Sequence, residues 1–122
     1  MSITRISTAL RKEDMHAIGP VTNLGAAIES GTVDAYALGT FGAPTDPVSA
    51  GYFGVTQGTF RMTYPFHEQA TVVQGSVTLT DVASGTAVTY NVGDSWFATQ
   101  GTEVRWEVRS EFFVKHFLAV AE

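Results

Sequence analysis

From residue 49 onward, apolar and polar residues alternate with a period of two, and turn-forming residues interrupt the pattern at short intervals. Residues 52–55, 59–64, 71–74, 77–81, 87–91, 95–98, 103–108 and 112–120 are rich in Val, Thr, Phe, Tyr and Trp, the types that suit a pleated, half-buried surface. Gly58, Pro65, Gly75, Ser84-Gly85, Gly93-Asp94, Gly101 and Ser110 separate these runs and supply the backbone freedom and local hydrogen bonds of turns. Many short strands without a long helical period predict an all-β sandwich or barrel. Successive side chains on a strand point to opposite faces. Phe60, Met62 and Tyr64 therefore share one side of their strand, and Val104, Trp106 and Val108 share one side of theirs, with Arg61 and Arg105 facing away. Residues 112–120 carry apolar side chains on both faces, which predicts a strand covered on both sides; His116 lies there with Phe112, Val114 and Leu118.

The first part of the chain is organised differently. Pro20, Gly25, Gly31, Gly39, Gly42, Pro44 and Pro47 break it repeatedly, leaving room for one short strand over residues 32–38. This predicts an N-terminal arm over residues 1–45 that packs on the outside of a single domain formed by residues 46–122, or on a partner subunit.

Composition narrows the function. A chain of 122 residues fits one domain with a core of its own. It has no cysteine, which excludes disulfides and thiolate metal sites. The net charge is −5 with only seven Lys and Arg, scattered along the chain. No basic stripe is available for a phosphate backbone, so nucleic acid is not an expected partner. No apolar run approaches the roughly eighteen residues of a membrane span. The segment 1–13 lacks the apolar stretch of a signal peptide, so the expected location is the cytoplasm.

Two spaced motifs carry the functional argument. Glu68 is followed after six residues by Gly75, and Gly93 is followed after five by Thr99-Gln100-Gly101. Together these resemble the two signature motifs of the cupins, Gly-x5-His-x-His-x3,4-Glu-x6-Gly and Gly-x5-Pro-x-Gly-x2-His-x3-Asn. More narrowly, Ser49-Ala50-Gly51-Tyr52, Gly58-Thr59-Phe60, His67-Glu68, Trp106-Glu107-Val108 and Val114-Lys115-His116-Phe117 resemble the EutQ-like cupins, a family also described through the cupin domain of (S)-ureidoglycine aminohydrolase. The resemblance implies a double-stranded β-helix, the cupin jelly roll, with residues 1–45 as an N-terminal extension. It also implies a cavity, a homodimer and, in metal-bearing members, three imidazoles and a carboxylate around a divalent ion. Counting along the motifs places Met62, Tyr64, Glu68 and Val104 at those four positions. A thioether and a valine do not hold a hard divalent ion, and a neutral phenol is a poor ligand. No metal cofactor is therefore expected; if one were held, Glu68 and His67 would be the ligands.

The remaining candidates each read in two ways. Glu68 is a general base or a ligand anchor if it faces the cavity, or a brace for the motif turn. His67 follows Pro65 and Phe66 and reads as a turn-stabilising residue. Tyr64 and Trp106 offer flat surfaces with one polar atom each, suited to enclosing a small molecule or to filling the core. Met62 is a natural gap-filler, and His116 is a core histidine or a residue reaching the cavity. The expected ligand-binding set is Met62, Tyr64, Glu68, Trp106 and His116, with Glu68 as the one catalytic candidate. Three functions fit: metal-free binding of a small polar metabolite, an enzyme of amine or ureide metabolism using Glu68, and a non-catalytic accessory dimer.

Overall fold

The computed structural model describes residues 1–122. Nine strands follow in chain order: β1 (His16–Pro20), β2 (Ala27–Ser30), β3 (Asp34–Phe41), β4 (Val48–Thr63), β5 (His67–Gln74), β6 (Val77–Asp81), β7 (Ala87–Tyr90), β8 (Ser95–Ala98) and β9 (Glu103–Val120). All their pairings are antiparallel. Helical structure is limited to two single 3₁₀ turns, Lys12–Asp14 and Val21–Leu24.

The long strands β4 and β9 pair with each other from Val48↔Val120 to Thr63↔Glu103 and form the spine of the molecule. Gly58 and Ser110, expected as turns, are instead points where continuous strands bend. The register of β4 against β9 shifts between Thr56 and Gly58. An added Cβ at Gly58 would lie 2.4 Å from Val33 Cγ2 and 2.8 Å from the Ser30 carbonyl oxygen, so only glycine lets the backbone pass there. On β9, the Ser110 hydroxyl accepts from the Ser76 amide at 3.0 Å and donates to the Phe112 carbonyl at 2.9 Å, satisfying groups that the irregular pairing would leave open.

At the bend both strands change partners. Residues 50–55 of β4 pair with β3, whereas residues 59–61 pair with β2. Residues 104–108 of β9 pair with β6, and residues 114–120 pair with β5. One layer therefore runs β1-β3-β4-β9-β5-β8, and the other uses the far halves of β4 and β9 with β2, β6 and β7. The two layers close on each other as a jelly-roll sandwich. Its main core draws Val55, Ala70, Val72 and Phe113 from the first layer and Phe60, Val77, Leu79 and Trp106 from the second. Trp106 stacks on Phe60 at 5.3 Å between ring centroids and meets Phe113 edge-on at 6.0 Å.

Residues 1–45, expected as an outer arm, take two roles. Residues 16–41 supply β1, β2 and β3, and Val21, Ala26, Val33 and Ala35 are buried in the main core. The preceding residues lie over the outer face of the first layer. There Met15 and Leu10 pack with Tyr52, Val73, Val114 and Phe112 in a second, smaller core. The Ser7 amide donates to the Tyr52 hydroxyl at 2.7 Å, and the Gln74 side-chain amide donates to the Leu10 carbonyl. The final strand is thus covered on both faces over this stretch.

The bend makes Gly58 hard to replace. Gly58→Ala should lower the unfolding free energy by about 1–3 kcal/mol, the usual cost of forcing a methyl group into filled space. Gly39→Ala should change it little, because the nearest atom to its added Cβ would be 4.0 Å away. Urea unfolding of the two variants beside the parent protein tests this; equal effects would remove the steric account of the bend.

Candidate functional site

On β9, Phe113, Lys115, Phe117 and Ala119 alternate with Phe112, Val114, His116 and Leu118, and the first set faces between the layers. That register carries a lysine into the interior. Lys115 is 4% exposed, and Glu68 on the neighbouring strand β5 is 1% exposed. A buried charge is stable only when paired and hydrogen-bonded, and these two satisfy each other: Lys115 Nζ lies 2.7 Å from both Oε1 and Oε2 of Glu68. Space for the carboxylate comes from its cross-strand neighbours, since Glu68 stands opposite Ala98 on one side and Ala119 on the other.

Aromatic rings surround the ammonium. Nζ lies 4.9 Å from the Trp106 ring centroid and 5.4–5.6 Å from those of Phe53, Tyr64, Trp96 and Phe117. Ring faces are electron-rich and attract a cation, most strongly where water is absent. Burial nevertheless lowers the pKa of Lys115 from its ordinary value, with the charge and hydrogen bonds of Glu68 acting in the opposite direction. Tyr64 sits beside the pair, 1% exposed, its hydroxyl accepting from Trp96 Nε1 at 3.2 Å. Burial first, then the negative charge of Glu68, holds that phenol well above its usual pKa, and it stays protonated.

This pair forms the polar end of a cavity of about 200 Å³. Phe53, Phe60, Met62, Phe66, Trp106 and Phe117 form most of its wall, joined by Val21, Leu24 and Ala26 from the segment between β1 and β2. Cavities of about 150 Å³ lined by apolar side chains accommodate benzene, so the space suits a small organic molecule. One donor is unused: Trp106 Nε1, in a residue only 1% exposed, has no hydrogen-bond partner in the fold. Beyond Tyr64 and Trp96 lies a broader, more open groove of about 420 Å³, edged by Asp81, Ser84, Thr86, Thr99 and Thr102. No ion pair converges on that groove.

Of the residues predicted to bind, Met62, Tyr64, Glu68 and Trp106 line the one cavity. His116 does not. It projects to the other face of β9, where Thr40 Oγ1 lies 2.9 Å from Nε2 and Tyr52 packs edge-on at 4.9 Å. The cause is the strand's alternation: an inward Lys115 sends His116 outward. His67 is likewise separated from Glu68, its immediate neighbour on β5. Its Nδ1 accepts from the Gln100 amide at 3.0 Å, and its Nε2 faces Glu122 Oε1 at 3.3 Å. Glu68 and His67 therefore do not form a common site. The cupin metal set also does not fit these residues. Val104 faces the open groove, no three His, Asp or Glu side chains gather anywhere in the chain, and Lys115 already holds both Glu68 oxygens.

Arg61 and Arg105 lie on the outer surface, where both contact Glu29 of β2, at 2.6 and 3.1 Å. Lys115 lines the cavity and pairs with Glu68, yet the sequence pattern alone gives it no role. Its signal was a lone lysine in the Phe113–Phe117 register of a strand with two apolar faces, a position that cannot be solvated.

The profile of the EutQ-like cupin domain matches residues 42–117. Among solved structures, the EutQ protein of Clostridium difficile aligns with a TM-score of 0.61 at 18% identity, over 73% of this chain and 69% of that one. A Pseudomonas syringae protein of unknown function from the DUF861 family aligns with a TM-score of 0.75 at 17% identity, over 94% of this chain and 46% of the other. The polyketide cyclase RemF from Streptomyces resistomycificus aligns with a TM-score of 0.64 at 14% identity, over 99% and 81%. At these identities the likeness is one of fold. No functionally curated protein matches the chain significantly, and no helix is long and apolar enough to cross a membrane.

Two measurements follow from the geometry. Lys115→Met leaves Glu68 buried without its cation and should cost about 3–5 kcal/mol of stability, whereas Lys115→Met with Glu68→Leu should recover most of it. Denaturant unfolding that shows the double variant as damaged as the single would contradict a dominant charge pair. His116 gives a pH signature. Burial lowers its pKa below the ordinary 6.5, so the unfolded chain takes up the proton first and stability falls as pH drops through about 6.5. His116→Asn should flatten that part of the stability–pH curve; an unchanged slope would assign it elsewhere.

Proposed function

Because this chain belongs to the EutQ-like cupin domain family, we propose that it is a small-molecule-binding cupin in which a lysine ammonium faces the motif carboxylate in place of a metal ion. The observation that carries this reading is the buried Lys115–Glu68 pair at the end of an otherwise apolar cavity. The pair is neutral overall but strongly dipolar. It favours a compact ligand with an apolar, preferably flat, body and one or two polar atoms, such as a carbonyl, carboxamide, carboxylate or ureide. The aromatic wall holds the body, and the polar end exchanges hydrogen bonds with Lys115 and with the unused Trp106 N–H. Glu68 acting alone as a general base is less well supported, because Lys115 engages both of its oxygens.

A thermal-shift screen of such compounds should find ligands that raise the melting temperature, since a molecule bound only by the folded state stabilises it. Met62→Trp, which narrows the cavity, should abolish the rise. A protein unresponsive to the whole panel, or one whose response survives Met62→Trp, would sink the cavity reading.

A second observation favours self-association as the quaternary arrangement. Phe97, Gln69, Leu118, Ala50 and Phe41 are consecutive cross-strand partners over β8, β5, β9, β4 and β3. They make a row on the outer face of the first layer, with Phe97 66%, Leu118 45% and Phe41 64% exposed. Large exposed apolar side chains gathered on one sheet face mark an interaction surface, and a second copy is the partner we infer. Light scattering should give a dimer mass that Leu118→Glu converts to monomer; a parent protein that is monomeric at micromolar concentration would discard it.

A further inference from the structure

We propose that Lys115 is a nucleophilic amine that captures small aldehydes or ketones as an imine, with Glu68 as the proton shuttle and the Trp106 indole N–H as the donor that receives the carbonyl oxygen. This rests on the small-molecule reading of the cavity and names the ligand class. Three observations converge on it. The only amine in the interior lies at the wall of a cavity large enough for a small organic molecule. A carboxylate stands 2.7 Å from that amine, within direct proton-transfer distance. Trp106, which lines the same cavity, has a buried N–H without an acceptor, and unpartnered buried donors are rare enough to demand a reason. A carbonyl group matches all three, since its oxygen only accepts, its carbon is electrophilic, and it carries no charge into an apolar space.

The chemistry balances without a further reactant. Glu68 takes one proton from the ammonium, leaving a neutral amine beside a neutral carboxyl group, a state that burial makes more accessible by disfavouring charge. The amine lone pair forms the C–N bond as the carbonyl π pair moves to oxygen, which takes the proton from Glu68. Glu68 then removes a second proton from nitrogen and delivers it to the hydroxyl, the C–O bond breaks, and water leaves as the nitrogen lone pair closes the C=N bond. The net change is ammonium plus carbonyl to iminium plus water. The product keeps one positive charge opposite Glu68 and inside the aromatic ring of Phe53, Tyr64, Trp96, Trp106 and Phe117, so the electrostatic environment that held the ammonium also holds the iminium.

The chain offers a built-in comparison, because Lys12, on an exposed N-terminal turn, is its only other lysine. Intact protein is incubated with benzaldehyde, butanal or 2-butanone in the presence of sodium cyanoborohydride, which reduces imines to stable amines, and the adducts are mapped by peptide mass spectrometry. In parallel, benzamide, which resembles benzaldehyde but forms no imine, is tested for a thermal shift. Labelling of Lys115 ahead of Lys12 and of the N-terminal amine by at least one of the three is expected, with loss of the Lys115 adduct in Lys115→Arg while the Lys12 adduct persists. Labelling confined to Lys12 and the N-terminus, with benzamide still stabilising the protein, overturns the imine and leaves the binding cavity standing. Neither labelling of Lys115 nor stabilisation by benzamide overturns both.

Discussion

A carboxylate withdrawn from water must find a proton or a cation, and much of this molecule is arranged around how Glu68 meets that demand. Its β5 position turns it between the layers, and flanking alanines at 98 and 119 leave it space. The cation arrives from the adjacent strand on the four-carbon stem of Lys115. Five aromatic rings then take the place of the hydration shell that the ammonium has lost. Either charge would be costly alone. A lone buried carboxylate or ammonium would be neutralised or expelled, and so dense a group of aromatic residues would otherwise be an ordinary core.

The pair can form because two strands are long enough to belong to both layers. β4 and β9 bend together near Gly58 and Ser110, which brings Trp106, on the second-layer half of β9, opposite Lys115, on the first-layer half of the same strand. A strand ending at Ser110 would leave these residues on separate elements. The fold thus positions the site through the continuity of its spine, and Gly58 is where that continuity is most sterically constrained.

How much of this was legible in the sequence follows from the range of the forces involved. Period-two patterning is local, and it gave the inward faces carrying Met62, Tyr64 and Trp106 correctly. Motif spacing brought Glu68 to the same place. The bends at Gly58 and Ser110 looked like turns because a glycine or serine in a β pattern has the same local appearance in a bulge and in a loop. The partition of residues 1–45 was hidden for a similar reason: frequent Gly and Pro suggest irregularity, whereas Val21, Val33 and Ala35 reach the core through pairings with distant strands. His116 was assigned to the cavity and Lys115 to no role because face assignment on a strand apolar on both sides has no internal reference. Only the cross-strand register against β5 shows which of the two neighbours points inward.

The positive charge in this site is attached by covalent bonds and arrives with the polypeptide. A coordinated ion must be acquired after synthesis, competes with other ions for its place, and can be stripped by chelators or scarcity. An ε-ammonium is subject to none of these, so the polarity of this cavity is set by translation alone and does not vary with the supply of trace elements in the cell. The counterpart is a fixed valence of one and no vacant coordination position: what this side chain itself can offer is a proton, hydrogen bonds and bonds made by nitrogen.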